Sequence, residues 1–202
     1  MTKDKPLRLK GVRAYTAWNQ GMCLGKLKPY RVLKIGIRTT RRLKAASIGL
    51  FHEGGNLSEH ALAQYLKRRH KKYWWPGINS DTPPDFKLWC NNKPLTVDVH
   101  SGNHQELMDF VDRSQGKPII PYPAGRVPNH LDDYIIGASV LSIPDGSFGV
   151  AIWGVIERDR LIALELPVIR GRTGPYVAVP LAKFSPRKLA RLINSTDKLP
   201  VL

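Results

Sequence analysis

The stretch PPDFKLWCNNKPLTVDVHSGN, residues 83–103, alternates apolar and polar side chains on both sides of a turn signal, and it predicts a β-hairpin. We place the loop at residues 91–94, because this register sets apolar residues opposite one another on one face. The apolar pairs are then Cys90 with Leu95, Leu88 with Val97, and Phe86 with Val99. Such a hairpin would present one apolar face to a core, as half-buried antiparallel strands do.

The second face of this hairpin carries its charged residues. The same register pairs Trp89 with Thr96, Lys87 with Asp98, and Asp85 with His100. Asp85 and Asp98 are then diagonal neighbours with backbones roughly 7–8 Å apart. A divalent cation with short metal–oxygen bonds fits between two carboxylates at that separation. A plainer interpretation stays open, in which Lys87 and Asp98 form a surface ion pair and Asp85 is a turn residue.

The segments around the hairpin predict alternating helices and strands. Residues 52–70, HEGGNLSEHALAQYLKRRH, predict a helix with Asn56 as N-cap and Glu59 as its partner in a capping box. A second helix at 104–115 and a short buried strand at 117–123 follow the hairpin. Further strands, two of them meeting at Asp145 and Gly146, precede a last helix capped by Ser185. This order indicates an α/β protein, a mixed sheet with helices on its faces.

Three short motifs follow one another in this order. They are Glu59 in SEHALAQYL, Pro84-Asp85 in PPDF, and Asp98-Val99-His100 in TVDVHSG. A helix with a glutamate, then Pro-Asp, then a strand with acid-x-basic resembles the PD-(D/E)xK nuclease superfamily. It is similar to Holliday junction resolvases and to the endonuclease subunits of Tn7-like transposons. The resemblance covers about residues 55–140.

The resemblance implies a restriction-endonuclease-like mixed sheet flanked by helices. The chain would then divide into a basic N-terminal extension at 1–50, a nuclease core at 51–165, and C-terminal strands and a helix at 166–202 packed on that core. The implied activity is metal-dependent DNA endonuclease. Glu59, Asp85 and Asp98 would hold one or two Mg²⁺ or Mn²⁺ ions, with the carbonyl of Val99 completing the shell.

One position departs from the superfamily pattern, because His100 stands where the superfamily has lysine. An imidazole accepts protons near neutral pH, so His100 is a candidate to position or deprotonate the attacking water. Lys87, on the same hairpin face, is an alternative source of an ammonium group. A different interpretation is a nucleic-acid-binding structural or assembly protein with a decayed nuclease core.

The charge of the chain is concentrated near its beginning. Of the formal net charge of +16, residues 1–50 carry thirteen Lys or Arg against the single acid Asp4, and KRRHKK at 67–72 adds five more. A localised positive field predicts a phosphate-backbone partner, although a solvated tail or an acidic protein or membrane surface is compatible with it. The residues predicted to neutralise DNA phosphates are Arg41, Arg42, Lys67, Arg68 and Arg69.

Other features of the sequence bound the class of protein. No apolar run approaches the ~20 residues of a membrane span, so we expect no membrane partner. The two cysteines, Cys23 and Cys90, form neither a disulfide framework nor a zinc signature, which favours a reducing, cytoplasmic location. Paired cuts in duplex DNA would suit a homodimer.

Overall fold

The computed structural model describes residues 22, 24, 26–47, 52–78, 84–104, 118–127, 132–171 and 174–199. The strands in this part of the chain are β1 Arg31–Ile35, β2 Tyr73–Trp74, β3 Phe86–Cys90, β4 Lys93–Asn103, β5 Ile119–Pro123, β6 Tyr134–Ser142, β7 Phe148–Glu157, β8 Val168–Gly171 and β9 Gly174–Pro180. The helices are α1 Ile37–Ala46, α2 Glu53–Arg68, α3 Arg158–Ile162 and α4 Pro186–Ser195. Most of the helix predicted at 104–115 lies outside the described residues.

Six strands form the main sheet, in the order β1-β7-β6-β4-β3-β2. β4 runs parallel to β6, whereas the other neighbouring strands in this sheet are antiparallel. The predicted α/β class with a mixed sheet is therefore confirmed. The remaining three strands form a second sheet in the order β5-β9-β8.

Each face of the main sheet is covered by a different layer. α2 and α4 pack on one face, where Leu62 and Leu189 join Phe86, Val99 and Ile136 in a single apolar cluster. The small sheet covers part of the other face through a second apolar cluster that contains Ile120, Tyr122, Val179, Ile135 and Trp153. Alternation along β6 and β7 sends successive side chains into the two clusters, so the sheet separates two cores.

The first long helix begins earlier than the sequence predicts. α2 starts at Glu53 after the N-cap residue His52, whereas the prediction placed the N-cap at Asn56. Asn56 lies inside the helix, where its Nδ2 donates to the carbonyl of Ile78 at 3.0 Å. The predicted capping box is therefore wrong. The apolar face was predicted correctly, since Leu57, Ala61, Leu62, Tyr65 and Leu66 are buried.

The final helix follows its sequence signals. The Oγ of Ser185 accepts a hydrogen bond from the backbone N–H of Lys188 at 3.2 Å, and Pro186 occupies the first turn. Leu189, Leu192 and Ile193 are buried. The predicted capped amphipathic helix is confirmed.

Part of the basic N-terminal segment belongs to the main sheet. β1, within residues 1–50, pairs antiparallel with β7, and α1 follows it directly after Gly36. Val32 and Ile35 are buried by this pairing. Among the described helices, none is both long enough and apolar enough to cross a bilayer.

Candidate active site

The β3–β4 hairpin turns through two residues, Asn91 and Asn92, with φ values of 52° and 62°. Asparagine tolerates this left-handed conformation, which two-residue hairpin turns require. The carboxylate of Asp197 accepts from the backbone N–H groups of both asparagines at 3.0 and 2.9 Å. The loop is thus tighter than the predicted loop at 91–94.

This turn shifts the register by two residues from the prediction. Phe86 lies opposite Val97, and Lys87 lies opposite Thr96. The predicted pairs are therefore wrong, but the predicted faces are correct, because a shift of two residues preserves the alternation. Extended by one residue, the same register sets Asp85 opposite Asp98 rather than opposite His100. The two carboxylates are consequently closer than the diagonal arrangement predicted.

Asp85 sits at the entrance to β3 and is held by the neighbouring strand. Its Oδ2 accepts a hydrogen bond from the backbone N–H of Val99 at 2.8 Å. Burial and, after it, the negative charges of Asp98 and Glu59 together raise the pKa of Asp85 to about 9, against the Val99 hydrogen bond. Asp85 therefore retains its proton near neutral pH unless a cation replaces it.

Asp98 lies in β4 with 3% of its surface exposed. Its Oδ2 accepts a hydrogen bond from the hydroxyl of Tyr122 on β5 at 3.0 Å. The guanidinium of Arg126, which is half exposed, lies 3.7 Å from the same oxygen. Asp98 in turn raises the already burial-raised pKa of Tyr122, so that this phenol remains a hydrogen-bond donor.

Glu59 approaches the two aspartates from α2. Its Oε2 accepts a hydrogen bond from the indole Nε1 of Trp75 at 3.1 Å. Burial raises the pKa of Glu59 to about 7; the Trp75 hydrogen bond opposes this shift and the charge of Asp98 adds to it. A helix, a strand entrance and a strand thus bring three carboxylates into one electrostatic neighbourhood.

The three carboxylates interact electrostatically but do not form a preformed metal shell. No group of three or more His, Cys, Asp and Glu side chains in the described ranges is arranged to hold a metal ion. The carboxylates are oxygen donors of the kind that Mg²⁺ and Mn²⁺ prefer. Burial, with repulsion between carboxylates added to it, raises the pKa values of Glu59 and Asp85, and a cation would relieve that repulsion. The donor chemistry therefore fits a divalent cation.

His100 lies on the same face of β4 as Asp98, as predicted from their spacing. Its ring makes an edge contact with Tyr122, with the ring centroids 5.1 Å apart. Tyr122 thus contacts both the carboxylate of Asp98 and the imidazole two residues later. Val99, between them, turns its side chain into the helix-covered core.

Lys87 is not opposite Asp98, which corrects the predicted cross-strand ion pair. Its ammonium lies over the ring of Trp74, 5.3 Å from the ring centroid. The positively charged side chain next to Asp98 is that of Arg126, not that of Lys87. Because side chains at 87 and 98 are diagonal neighbours in the observed register, Lys87 remains on the sheet face that carries Asp85 and Asp98.

The predicted phosphate-binding residues lie on two helices. Arg41 and Arg42 are exposed on α1, and Lys67, Arg68 and Arg69 are exposed at the end of α2. Arg42 and Arg68 line the same cleft, of about 200 Å³, between α1 and α2. The lining also includes Lys34, Thr39, His60 and Gln64.

The basic cleft and the carboxylates are neighbours, because α2 supplies residues to both. His60 lines the cleft and follows Glu59 in α2, and its ring contacts Trp75 edge-on at 5.9 Å. Burial lowers the pKa of His60, and the charge of Arg42 lowers it further. The basic cleft on one side of α2 therefore lies next to the carboxylate of Glu59.

Sequence reasoning missed three contacts of this site, namely Tyr122, Arg126 and Trp75. KPIIPYP predicted a buried strand correctly, but alternation within it could not show that Tyr122 reaches Asp98 from a second sheet. A buried tyrosine generally needs a partner for its hydroxyl, and this was the available signal.

Comparison with protein-family models, with curated proteins and with solved structures gives no match to this chain.

Proposed function

We propose that this protein is a metal-dependent DNA endonuclease that hydrolyses phosphodiester bonds beside Glu59, Asp85 and Asp98. One observation carries the proposal: burial, together with the charges of neighbouring carboxylates on separate elements, raises the pKa values of Glu59 and Asp85. Burying carboxylates so close together costs folding free energy, unless bound protons or a cation offset their repulsion. Groups with strongly perturbed pKa values cluster at functional sites.

The order of the elements supports the superfamily resemblance. A glutamate-bearing helix, an antiparallel hairpin and a strand parallel to the second hairpin strand occur in the sequence α2, β3–β4 and β6. The aspartates occupy the open end of that hairpin. We therefore include a restriction-endonuclease-like fold in this proposal.

Each residue has a distinct task in the proposed reaction. Glu59, Asp85 and Asp98 would hold Mg²⁺ or Mn²⁺, which when bound polarises a phosphate and lowers the pKa of water. The Val99 N–H fixes Asp85, and the Tyr122 hydroxyl fixes Asp98. The Val99 carbonyl is a further oxygen donor. His100 would accept the proton of the attacking water.

The basic surface supplies the substrate contact. Arg41, Arg42, Lys67, Arg68 and Arg69 would neutralise backbone phosphates of DNA. Arg126, exposed and beside Asp98, is placed to meet a phosphate that approaches the carboxylates. Arginine suits this task because its planar fork matches phosphate oxygens.

A cleavage assay tests the proposal. The protein is incubated with supercoiled, linear, branched and single-stranded DNA in Mg²⁺, in Mn²⁺, or in a chelator. We expect cleavage of at least one substrate with metal and none with chelator. If no substrate is cut with either metal, the endonuclease proposal is wrong.

A second candidate function is a nucleic-acid-binding structural or assembly protein with a decayed core. The contacts to Asp98 favour it, because Tyr122 and Arg126 both approach this carboxylate and Asp85 lies opposite it. A proton shared with Asp85 would complete a polar cluster without a cation. This candidate predicts DNA binding that is unchanged by chelator, and no cleavage.

A further inference from the structure

The outer face of β2–β3 presents two tryptophans and two lysines in alternation. Trp74 lies opposite Lys87 in the observed register, and the backbone N–H of Trp89 donates to the carbonyl of Lys72 at 3.3 Å. Each ring therefore has a lysine as its cross-strand neighbour. We call Trp74, Lys87, Trp89 and Lys72 the aromatic platform.

The platform faces away from the helix-covered core. Phe86 and Leu88, which alternate with Lys87 and Trp89 along β3, are buried in the core beneath α2. Trp74 has 42% of its surface exposed, although tryptophan usually buries most of its area. β2 is the edge strand of the main sheet. The platform is thus a solvent-facing surface at that edge.

Each tryptophan is covered by an ammonium group. Lys87 Nζ lies 5.3 Å from the Trp74 ring centroid, and Lys72 Nζ lies 5.4 Å from that of Trp89. Exposed cation–π pairs are weak, and the lysine stem is flexible. A flat ligand can therefore displace the ammonium from the ring, while the ammonium moves to a neighbouring anion.

We propose that the aromatic platform binds unpaired bases of single-stranded nucleic acid, with Trp74 stacking on a base and Lys87 contacting the adjoining phosphate. Proteins that bind single strands combine stacking aromatic rings with a positively charged track. A duplex hides the faces of its bases, whereas a single strand or a splayed end exposes them. The platform therefore distinguishes strand states rather than sequences.

The position of the platform connects single-strand binding with the proposed cleavage site. Lys87 is the diagonal neighbour of Asp98, and Trp74 directly precedes Trp75, which holds Glu59. A strand that stacks on Trp74 would pass beside the carboxylates. The inference thus rests on the proposed function, and it narrows the substrate class to DNA with an unpaired segment next to the scissile bond.

Binding measurements with Trp74 variants test the platform. Fluorescence anisotropy compares a labelled single-stranded oligonucleotide with its blunt duplex of equal length, in chelator so that nothing is cut. Trp74→Ala should weaken single-strand binding at least about fivefold, the lower end for loss of one stacked base, and change duplex binding less than about twofold. Trp74→Tyr, which keeps a stacking ring, should restore most of the affinity.

A lysine pair provides the matched control. Lys87→Ala and Lys93→Ala each remove one positive charge from the same hairpin, but Lys93 lies at the turn end, opposite Cys90. Only Lys87→Ala should weaken single-strand binding beyond the loss common to both variants. Thermal melting of each variant checks that it is folded.

The outcomes test the platform proposal separately from the proposed endonuclease function. If Trp74→Ala binds single strands as tightly as the parent, or loses single-strand and duplex binding equally, the proposal that the platform binds unpaired bases is wrong. The endonuclease proposal then stands or falls on the cleavage assay alone. If the parent binds neither form of DNA, both proposals are wrong.

Discussion

Two aspartates at two hairpins of the main sheet have opposite electrostatic environments. Asp145, in the exposed turn between β6 and β7, forms an ion pair with Lys34 at 2.8 Å and accepts from the backbone N–H of Ser147 at 2.9 Å. These contacts hold its pKa down, at about 2. Asp85, at the open end of the β3–β4 hairpin, is partly buried among carboxylates, and its pKa is about 9.

The contrast separates a structural carboxylate from a candidate functional one. Asp145 is already satisfied by a cation and by the donors of its own turn, so it has no need of a ligand. Asp85 has one backbone donor and two neighbouring negative charges. A site that raises a pKa in this way is destabilising by itself, and such costs concentrate where a protein acts.

The largest expected effect is on catalysis. Asp85→Asn and Asp98→Asn should each reduce metal-dependent cleavage by at least about 100-fold, because each removes a proposed metal-binding charge. Asp145→Asn, the matched change at the other hairpin, should leave the rate unchanged. Steady-state cleavage rates at saturating metal check this prediction. Equal rates for the parent and either site variant would remove that residue from the proposed site.

The second effect is on stability, and its sign follows from the raised pKa of Asp85. Between about pH 4 and pH 9 the folded protein binds a proton that the unfolded chain releases, so the free energy of unfolding falls as pH rises through this window. Asp85→Asn removes the group that titrates. At about pH 8 it should raise the melting temperature of the metal-free protein by at least about 2 °C.

Asp145→Asn should act in the opposite direction. Its lowered pKa contributes stability above about pH 4 that is lost as pH falls towards about 2. At about pH 8 the variant should melt at or slightly below the parent temperature, because exposed ion pairs contribute little. Calorimetric melting curves across the pH range measure both effects. A lower melting temperature for Asp85→Asn would contradict the comparison.

The smallest effect concerns the basic cleft between α1 and α2. Arg42→Ala and Arg68→Ala should each make the slope of log affinity against log salt shallower, by up to ~0.9 per lost phosphate contact. Arg170, exposed on β8 of the small sheet, offers a control of equal charge. DNA-binding titrations at several salt concentrations provide the slopes. If Arg170→Ala changes the slope as much as the cleft variants do, the cleft is not the DNA contact.

The faces of the sheet could be predicted from the sequence, but the register could not. Alternation in FKLWC and LTVDV shows which side chains share a face, and the structure confirms these faces. Hydrophobic matching favoured Leu88 opposite Val97, whereas the Asn91-Asn92 turn fixes Leu88 opposite Leu95. Turn conformation thus decided the register, and with it the position of Asp85 opposite Asp98.

Contacts between the layers of the fold could not be predicted from local sequence patterns. Tyr122 reaches Asp98 from the second sheet, which arises because β5 pairs with β9, more than fifty residues later in the chain. The capped helix α4 was predictable because Ser185 and Pro186 act locally. The start of α2 was not, because Asn56 bonds to Ile78 instead of capping the helix.

Proton release on metal binding tests the central claim, that Glu59, Asp85 and Asp98 form one cation site, most directly. Calorimetric titration with Mn²⁺ at about pH 8, in buffers of different ionisation enthalpy, counts the protons. Because Asp85 has a pKa of about 9, the parent should release about one proton per bound ion, and Asp85→Asn should release almost none. Binding without proton release, or no binding by the parent at all, would contradict the claim.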